Sequence, residues 1–359
     1  METTTLDRNL CKGVARCAMS EETPNLASPQ KRLNHTPRVV VTRRLGPAVE
    51  DRMNELFEVR SNASDMPLTR EQLAQAMQEC DVLVPTVTDR IDAELLQQAG
   101  PALGLIANFG AGTEHIDLDA AAERKILVTN TPGVFTDDTA DIAMAGIIGV
   151  PRRIREGVEL VRSREWTGWA PTAMLGSSLG GKSLGIIGMG RIGQAVAHRA
   201  RACGLQIAYH NRKRLPEAVE RIFGARYVAE LDDLLAEADI VSLHCPSNDA
   251  TRHLLDTRRL GMMKRGASLI NTARGDLIDQ EALIAALESR HLAGAGLDVY
   301  PDEPHVDERL IRHPNVMTLP HIGSATREGR EDSGMKVIAN IRMWADGHRP
   351  PDQVLSALA

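Results

Sequence analysis

Aromatic residues are scarce, 3% of 359 positions, and the formal net charge is −6. The chain offers few rings on which bases could stack and no excess of cations for a phosphate backbone, so a nucleic-acid partner is excluded. No apolar run approaches the roughly 18 residues of a spanning helix, which gives no reason to expect a membrane partner. The five cysteines, Cys11, Cys17, Cys80, Cys203 and Cys245, are scattered and include no C-x-x-C pair. That pattern reads as a reduced, cytoplasmic protein without structural zinc. No internal repeat stands out. What is present is ordinary for a globular chain: 43% hydrophobic and 25% charged residues, with length enough for two domains.

Residues 1–36 are polar and aperiodic, and a disordered extension is expected there. Lys12 and Arg16 suggest a targeting segment, but Glu2, Asp7 and the lack of an apolar stretch argue against a secretory signal, and Met19 is an alternative start. From Arg38 onward, short apolar strands alternate with helices, the rhythm of a parallel α/β sheet. Thr131-Pro132-Gly133 breaks the chain. A long helix is expected from a cap at Asp137 or Asp138 to about Arg162. Its Gly146 and Gly149 each cost about 1 kcal/mol relative to Ala, which suggests close packing across a subunit interface. The expected fold class is α/β, with two doubly wound, Rossmann-like domains. A substrate domain of residues 37–131 and 321–350 would hold, as an insertion, a nucleotide-binding domain of residues 132–320.

The segment Leu184–Gly193 organises the second unit. An Ile-rich strand ends in Gly188-x-Gly190-x-x-Gly193, and a helix-forming segment follows at once, the context of a dinucleotide site. Gly188 permits the turn, Gly190 admits a pyrophosphate, and Gly193 lets helix and strand pack. Arg191 and Ile192 open the helix whose N–H groups face the phosphates. Where the next strand ends, an acidic residue normally holds the ribose; here Asn211 stands there, followed by Arg212, Lys213 and Arg214. With no carboxylate to repel a 2′-phosphate and up to three cations to bind one, NADP(H) is preferred and NAD(H) possible. Three further residues follow strands: Arg274, Glu303 and His321. Together they supply a carboxylate binder, a carboxylate partner and a proton donor, the parts that reduction of a 2-oxo acid needs.

Gly188-x-Gly190-x-x-Gly193, Asn271–Gly275, Gly296–Pro304 and Pro320-His321-x-Gly323 resemble the D-isomer-specific 2-hydroxyacid dehydrogenases, over roughly residues 38–345. Within that family the chain looks most like the glyoxylate/hydroxypyruvate reductases, through Tyr209–Arg212 and the Trp166–Leu175 loop. The resemblance implies hydride transfer with Arg274 anchoring substrate, His321 as general acid/base and Glu303 as its partner. It places the substrate carboxylate on the N–H groups of Ala111 and Gly112, and the nicotinamide carboxamide on Asp298. Thr139, Cys245, Pro246 and Thr272 would lie along the cofactor. Trp169 would reach the neighbouring subunit's site in a homodimer. His115 and His244 have no evident carboxylate partner and read as structural. The function expected is NADP-dependent reduction of glyoxylate or hydroxypyruvate. Alternatives are a reductase of bulkier 2-oxo acids and a nucleotide-sensing binding protein of the same fold.

Overall fold

The computed structural model describes residues 32–355. Most of the extension expected over residues 1–36 lies outside the described residues. Its last part is not loose: the Leu33 N–H donates to Ala345 O at 3.0 Å, and His35 Nε2 lies 3.0 Å from the buried Asp81 carboxylate. Leu33 also packs against the first core, so burial and a buried charge fix the chain before residue 37.

The first sheet contains β1 (Arg38–Val41), β2 (Glu58–Ser61), β3 (Val82–Val84), β4 (Leu105–Ala107) and β5 (Leu127–Thr129). The second contains β6 (Ser183–Ile187), β7 (Gln206–His210), β8 (Ala225–Tyr227), β9 (Ile240–Leu243), β10 (Ala267–Asn271), β11 (Leu292–Leu297) and β12 (Val316–Thr318). The last strand, β13 (Gln353–Val354), returns to the first sheet and pairs antiparallel with β5. The strand orders are β2-β1-β3-β4-β5-β13 and β8-β7-β6-β9-β10-β11-β12. Each order reverses direction once, between β1 and β3 and between β6 and β9, and ligands of such sheets sit outside the carboxyl ends of strands at those points.

Near-continuous apolar strands such as Val39–Val41 and Val82–Val84 are buried on both faces because helices cover both sides. Local sequence sets the helix starts. Thr69 and Gln72 form a capping box on Arg70–Glu79, and Asp92, Asp117, Asp256, Asp279 and Asp307 cap later helices through their carboxylates. The long helix Arg327–Ala345 packs Val337, Ile338, Ile341 and Trp344 onto the first sheet. Gly104 makes room for that indole, since a Cβ there would overlap it.

Three expectations are corrected. The helix expected to run to Arg162 is two, Thr136–Gly149 and Ile154–Arg162. Pro151 lacks the N–H that a continuing helix needs, and Arg153 turns left-handed at φ 55°. Neither Asp137 nor Asp138 is the cap; both sit in the first turn, where Asp137 pairs with Arg199 and Asp138 accepts from Thr326. The close packing at Gly146 and Gly149 is found within the chain: Gly146 lies against Ile270 and Gly296, and Gly149 against Met317. They let their helix settle on β10, β11 and β12 of its own chain. Seven short elements were not expected: the strands Glu58–Ser61, Ala225–Tyr227 and Gln353–Val354, the helices Leu118–Glu123, Glu217–Phe223 and Glu308–Arg312, and the 3-10 turn Gly275–Leu277.

Candidate active site

At the carboxyl end of β6, Gly188 takes φ +97°, and a Cβ there would strike the backbone of His244 and Cys245 at the end of β9. Gly193 lies so close to the Gly188 carbonyl that a side chain would not fit. Gly190 faces open space and begins helix Arg191–Ala202 without a side-chain cap. Asn211 Oδ1 accepts the Met189 N–H at 2.7 Å, so this residue also fixes the glycine turn.

The basic run divides. Arg214 donates to both carboxylate oxygens of the buried Glu220, at 2.9 and 2.8 Å. Hydrogen bonds from Arg214 and from the Tyr209 hydroxyl hold the Glu220 carboxyl down at about 2. This arginine is committed to the fold, which corrects the count of three available cations. Arg212 and Lys213 are exposed and form no ion pair among the described residues.

The second group gathers where the carboxyl ends of the two sheets meet. His321 takes a left-handed φ of 53°, and its N–H donates to Asp298 O at 2.9 Å. Its Nδ1 lies 2.7 Å from Glu303 Oε2, while Glu303 Oε1 accepts the Tyr300 N–H at 2.9 Å. Burial works to raise the Glu303 carboxyl. The His321 hydrogen bond, the Tyr300 N–H and the charges of His321 and Arg274 outweigh it, so Glu303 lies below its ordinary value. Asp298 is buried and accepts from the Ile322 and Gly323 N–H groups at 2.8 and 2.7 Å. Burial leaves its carboxyl above the ordinary value. Thr139 donates to Gly323 O at 3.0 Å. In this structure the polar atoms of Thr139 and Asp298 are therefore engaged in holding the loop that carries His321.

Arg274 is braced on both sides. Nη1 donates to Ala273 O at 2.7 Å, and Nη2 lies 3.2 Å from Glu114 Oε2. The guanidinium fills the space a Cβ of Gly112 would take, so a glycine is required there. The adjoining loop turns its carbonyls inward. Asn108 Nδ2 donates to Gly110 O and Gly112 O, at 3.2 and 2.8 Å, and Asn130 Nδ2 to Ala111 O at 2.7 Å. The N–H groups of Ala111 and Gly112 have no hydrogen-bond partner among the described residues. Asn108, Asn130 and Glu114 were not expected here. Asn108 and Asn130 each directly follow a strand, β4 and β5, which is a local signal; nothing local marks Glu114.

Neither His115 nor His244 is hydrogen-bonded to a carboxylate, and His244 Nδ1 is buried without a partner among the described residues. Burial lowers His115 to about 4, and its Nε2 meets Asn108 Oδ1 at 3.0 Å. Burial likewise brings His244 to about 4, beside the Ser242 hydroxyl at 2.8 Å.

A family model for the NAD binding domain of D-isomer specific 2-hydroxyacid dehydrogenases matches residues 144–323. The chain belongs to this family. It is 45% identical over 322 residues to a glyoxylate reductase of Thermococcus litoralis, covering 89% of this chain and 96% of that one. It is 42% identical over 323 residues to a glyoxylate reductase of Aeropyrum pernix, with the same coverage. Among solved structures it superimposes with a TM-score of 0.80, at 31% identity, on an NADPH-dependent glyoxylate/hydroxypyruvate reductase of Sinorhizobium meliloti in complex with NADP and malonate. That match covers 89% of this chain and 97% of the other.

As a D-2-hydroxyacid dehydrogenase the protein is an NAD(P)-dependent oxidoreductase, and its residues fit a dinucleotide. The space at Gly190 and the uncapped helix behind it match a pyrophosphate. The Thr272 hydroxyl at the end of β10 is buried without a partner, an acceptor or donor in want of a ligand. The Cys245 backbone after β9 lies against Gly188, and burial pushes the Cys245 thiol up to about 11, so it stays neutral. Trp169 is 84% exposed. Among the described residues no helix is long and apolar enough to cross a membrane, and no group of metal-ligating side chains is found.

Proposed function

We propose that this dehydrogenase reduces small 2-oxo acids, glyoxylate or hydroxypyruvate first, to D-2-hydroxy acids with NADP(H) preferred over NAD(H). The observation that carries this reading is the 2.7 Å contact between His321 Nδ1 and Glu303, in a cluster with a braced arginine and a loop of free N–H groups. The names of the relatives agree with it.

Bound NADP(H) supplies the hydride. Gly188, Gly190, Arg191, Ile192 and Gly193 would hold its phosphates, with Asn211, Arg212 and Lys213 at the ribose end. Cys245, Pro246, Thr272, Thr139 and Asp298 would line the remainder. Ala111 and Gly112 hold the substrate carboxylate through their N–H groups, and Arg274 spans carboxylate and carbonyl oxygen. Glu303 takes Nδ1 of His321 and so directs Nε2, which has no hydrogen bond among the described residues, toward substrate. Protonated His321 gives its Nε2 proton to the carbonyl oxygen as charge develops there; in the reverse direction neutral His321 removes it.

The same reading makes the enzyme a homodimer. Helix Ile154–Arg162 buries none of its residues, and Ile154, Val158 and Val161 form an exposed apolar stripe at helical spacing. Trp166, Trp169 and Leu175, in the segment that follows the helix, are exposed as well. A second copy of the chain is the proposed occupant, with Trp169 near the partner's substrate.

Initial rates with glyoxylate, hydroxypyruvate, pyruvate and phenylpyruvate, each with NADPH and NADH, test the assignment. His321→Ala should lose about 100-fold to 10,000-fold in kcat while still binding NADPH. Turnover of none of the four acids, or undiminished turnover in His321→Ala, refutes it.

A further inference from the structure

Glu114 puts a carboxylate at the place where the reading above puts the substrate's own. Its Oε2 is 3.2 Å from Arg274 Nη2, and both side chains are about one-third exposed, 35% and 31%. The two residues come from different sheets: Glu114 from the loop after β4, Arg274 from the loop after β10. Gly112 lies between them, and its missing Cβ is what lets guanidinium and carboxylate close over the loop. Two consequences follow. The ion pair and the Ala273 carbonyl together fix the plane of the guanidinium, one tether on each Nη. The pair also cancels the charge of Arg274 before any substrate arrives. Glu303 and a protonated His321 cancel each other likewise. Of these four groups, Arg274, Glu114, Glu303 and His321⁺, the net charge is zero.

We propose that Glu114 determines specificity by restricting the site to 2-oxo acids with one carboxylate. A monocarboxylate brings the local charge to −1, and its anion is met by the N–H groups of Ala111 and Gly112 and one edge of Arg274. A second carboxylate brings it to −2, with Glu114 beside it and no unpaired cation among these four groups. Like charges in a half-buried cleft repel with little screening. A small pocket alone would reject by size; Glu114 rejects by charge, and the two are separable by substitution.

The inference rests on the 2-oxo-acid reading, and the experiment separates the two. The full-length protein is compared with Glu114→Gln, Glu114→Asp and Glu114→Ala, using NADPH with glyoxylate and with oxaloacetate, a 2-oxo dicarboxylate. Glu114→Gln keeps an oxygen for Nη2 but removes the charge. It should raise kcat/KM for oxaloacetate relative to glyoxylate by at least about tenfold, about 1.4 kcal/mol, and mainly through KM. Glu114→Asp keeps the charge and should keep the wild-type ratio. Glu114→Ala loses brace and charge together, and KM for glyoxylate should rise. Equilibrium binding of malonate against acetate to the same proteins gives a readout independent of turnover, and Glu114→Gln should favour malonate. An active enzyme whose ratios are the same in Glu114→Gln and wild type overturns the role of Glu114. A wild type that turns over neither oxo acid overturns the 2-oxo-acid reading, and the malonate-to-acetate ratio then still judges Glu114.

Discussion

Arg212 and Arg214 are two residues apart in the chain, yet the fold gives them different tasks, and cofactor choice should separate them. Arg214 is held bidentately by Glu220 at 2.8 and 2.9 Å, with the Tyr209 hydroxyl on the same carboxylate. Arg212 is exposed beside Asn211, whose side chain accepts from the fingerprint loop. A charge-assisted hydrogen bond contributes about 1.5–3 kcal/mol, and exposure favours the lower end. Removing Arg212 should therefore weaken NADPH by about tenfold and leave NADH nearly unchanged. Arg214→Ala should behave oppositely: the buried Glu220 loses its cation, Tm falls, and the NADPH-to-NADH ratio stays close to wild type. Asn211→Asp retains an acceptor for the Met189 N–H while placing a negative charge at the ribose, so preference should move toward NADH. The assay is fluorescence titration of each variant with both nucleotides, with Tm measured in parallel. If the ratio collapses in Arg214→Ala and not in Arg212→Ala, the assignment of the two arginines is refuted.

Two further outcomes follow from burial. His115 and His244 are held at about 4, below the unfolded value of roughly 6.5. Their folded pKa is depressed, so stability is whole above about 6.5 and is lost as pH falls toward 4, where only the unfolded chain gains protons, at about 1.4 kcal/mol per pH unit for each histidine. Urea midpoints across that window should decline, and His244→Gln should flatten the decline; an unchanged slope would show that this residue is not a source. The apolar stripe on helix Ile154–Arg162 predicts that Val158→Glu converts a dimer to a monomer in light scattering, and a wild type that is monomeric at micromolar concentration removes the basis for that interface.

The parts of the fold written in short sequence windows were legible. Strand, glycine turn and helix at Leu184–Ala202 depend on neighbours within a few positions, and the structure has them where the pattern puts them. The helix break at Pro151 is written as locally, in a residue without an N–H, although the segments on either side of it are both helical. Gly146 was legible as a site of close packing, because glycine inside a helix needs a reason. Its partners Ile270 and Gly296 stand over a hundred residues away and carry no mark of it, so the sequence does not say what the glycine packs against. The run Arg212-Lys213-Arg214 had the same difficulty: charge is visible in a sequence, but the engagement of Arg214 by Glu220 is not.

The substrate side of the site shows why the gap falls where it does. Asn108, Asn130 and Glu114 do not belong to any periodic pattern, and each acts on backbone or charge rather than on a core. Asn108 and Asn130 draw the carbonyls of Gly110, Ala111 and Gly112 inward, which leaves the N–H groups of Ala111 and Gly112 outward. A Gly-Ala-Gly segment alone says only that the backbone is free to adopt many conformations; the two amides choose one. Arg274 is likewise an ordinary cation until Ala273 O and Glu114 fix its plane from opposite sides. The residues that touch substrate are few and have recognisable chemistry. Those that orient them are polar groups distant in sequence, and only the meeting of the two sheets makes them part of one site.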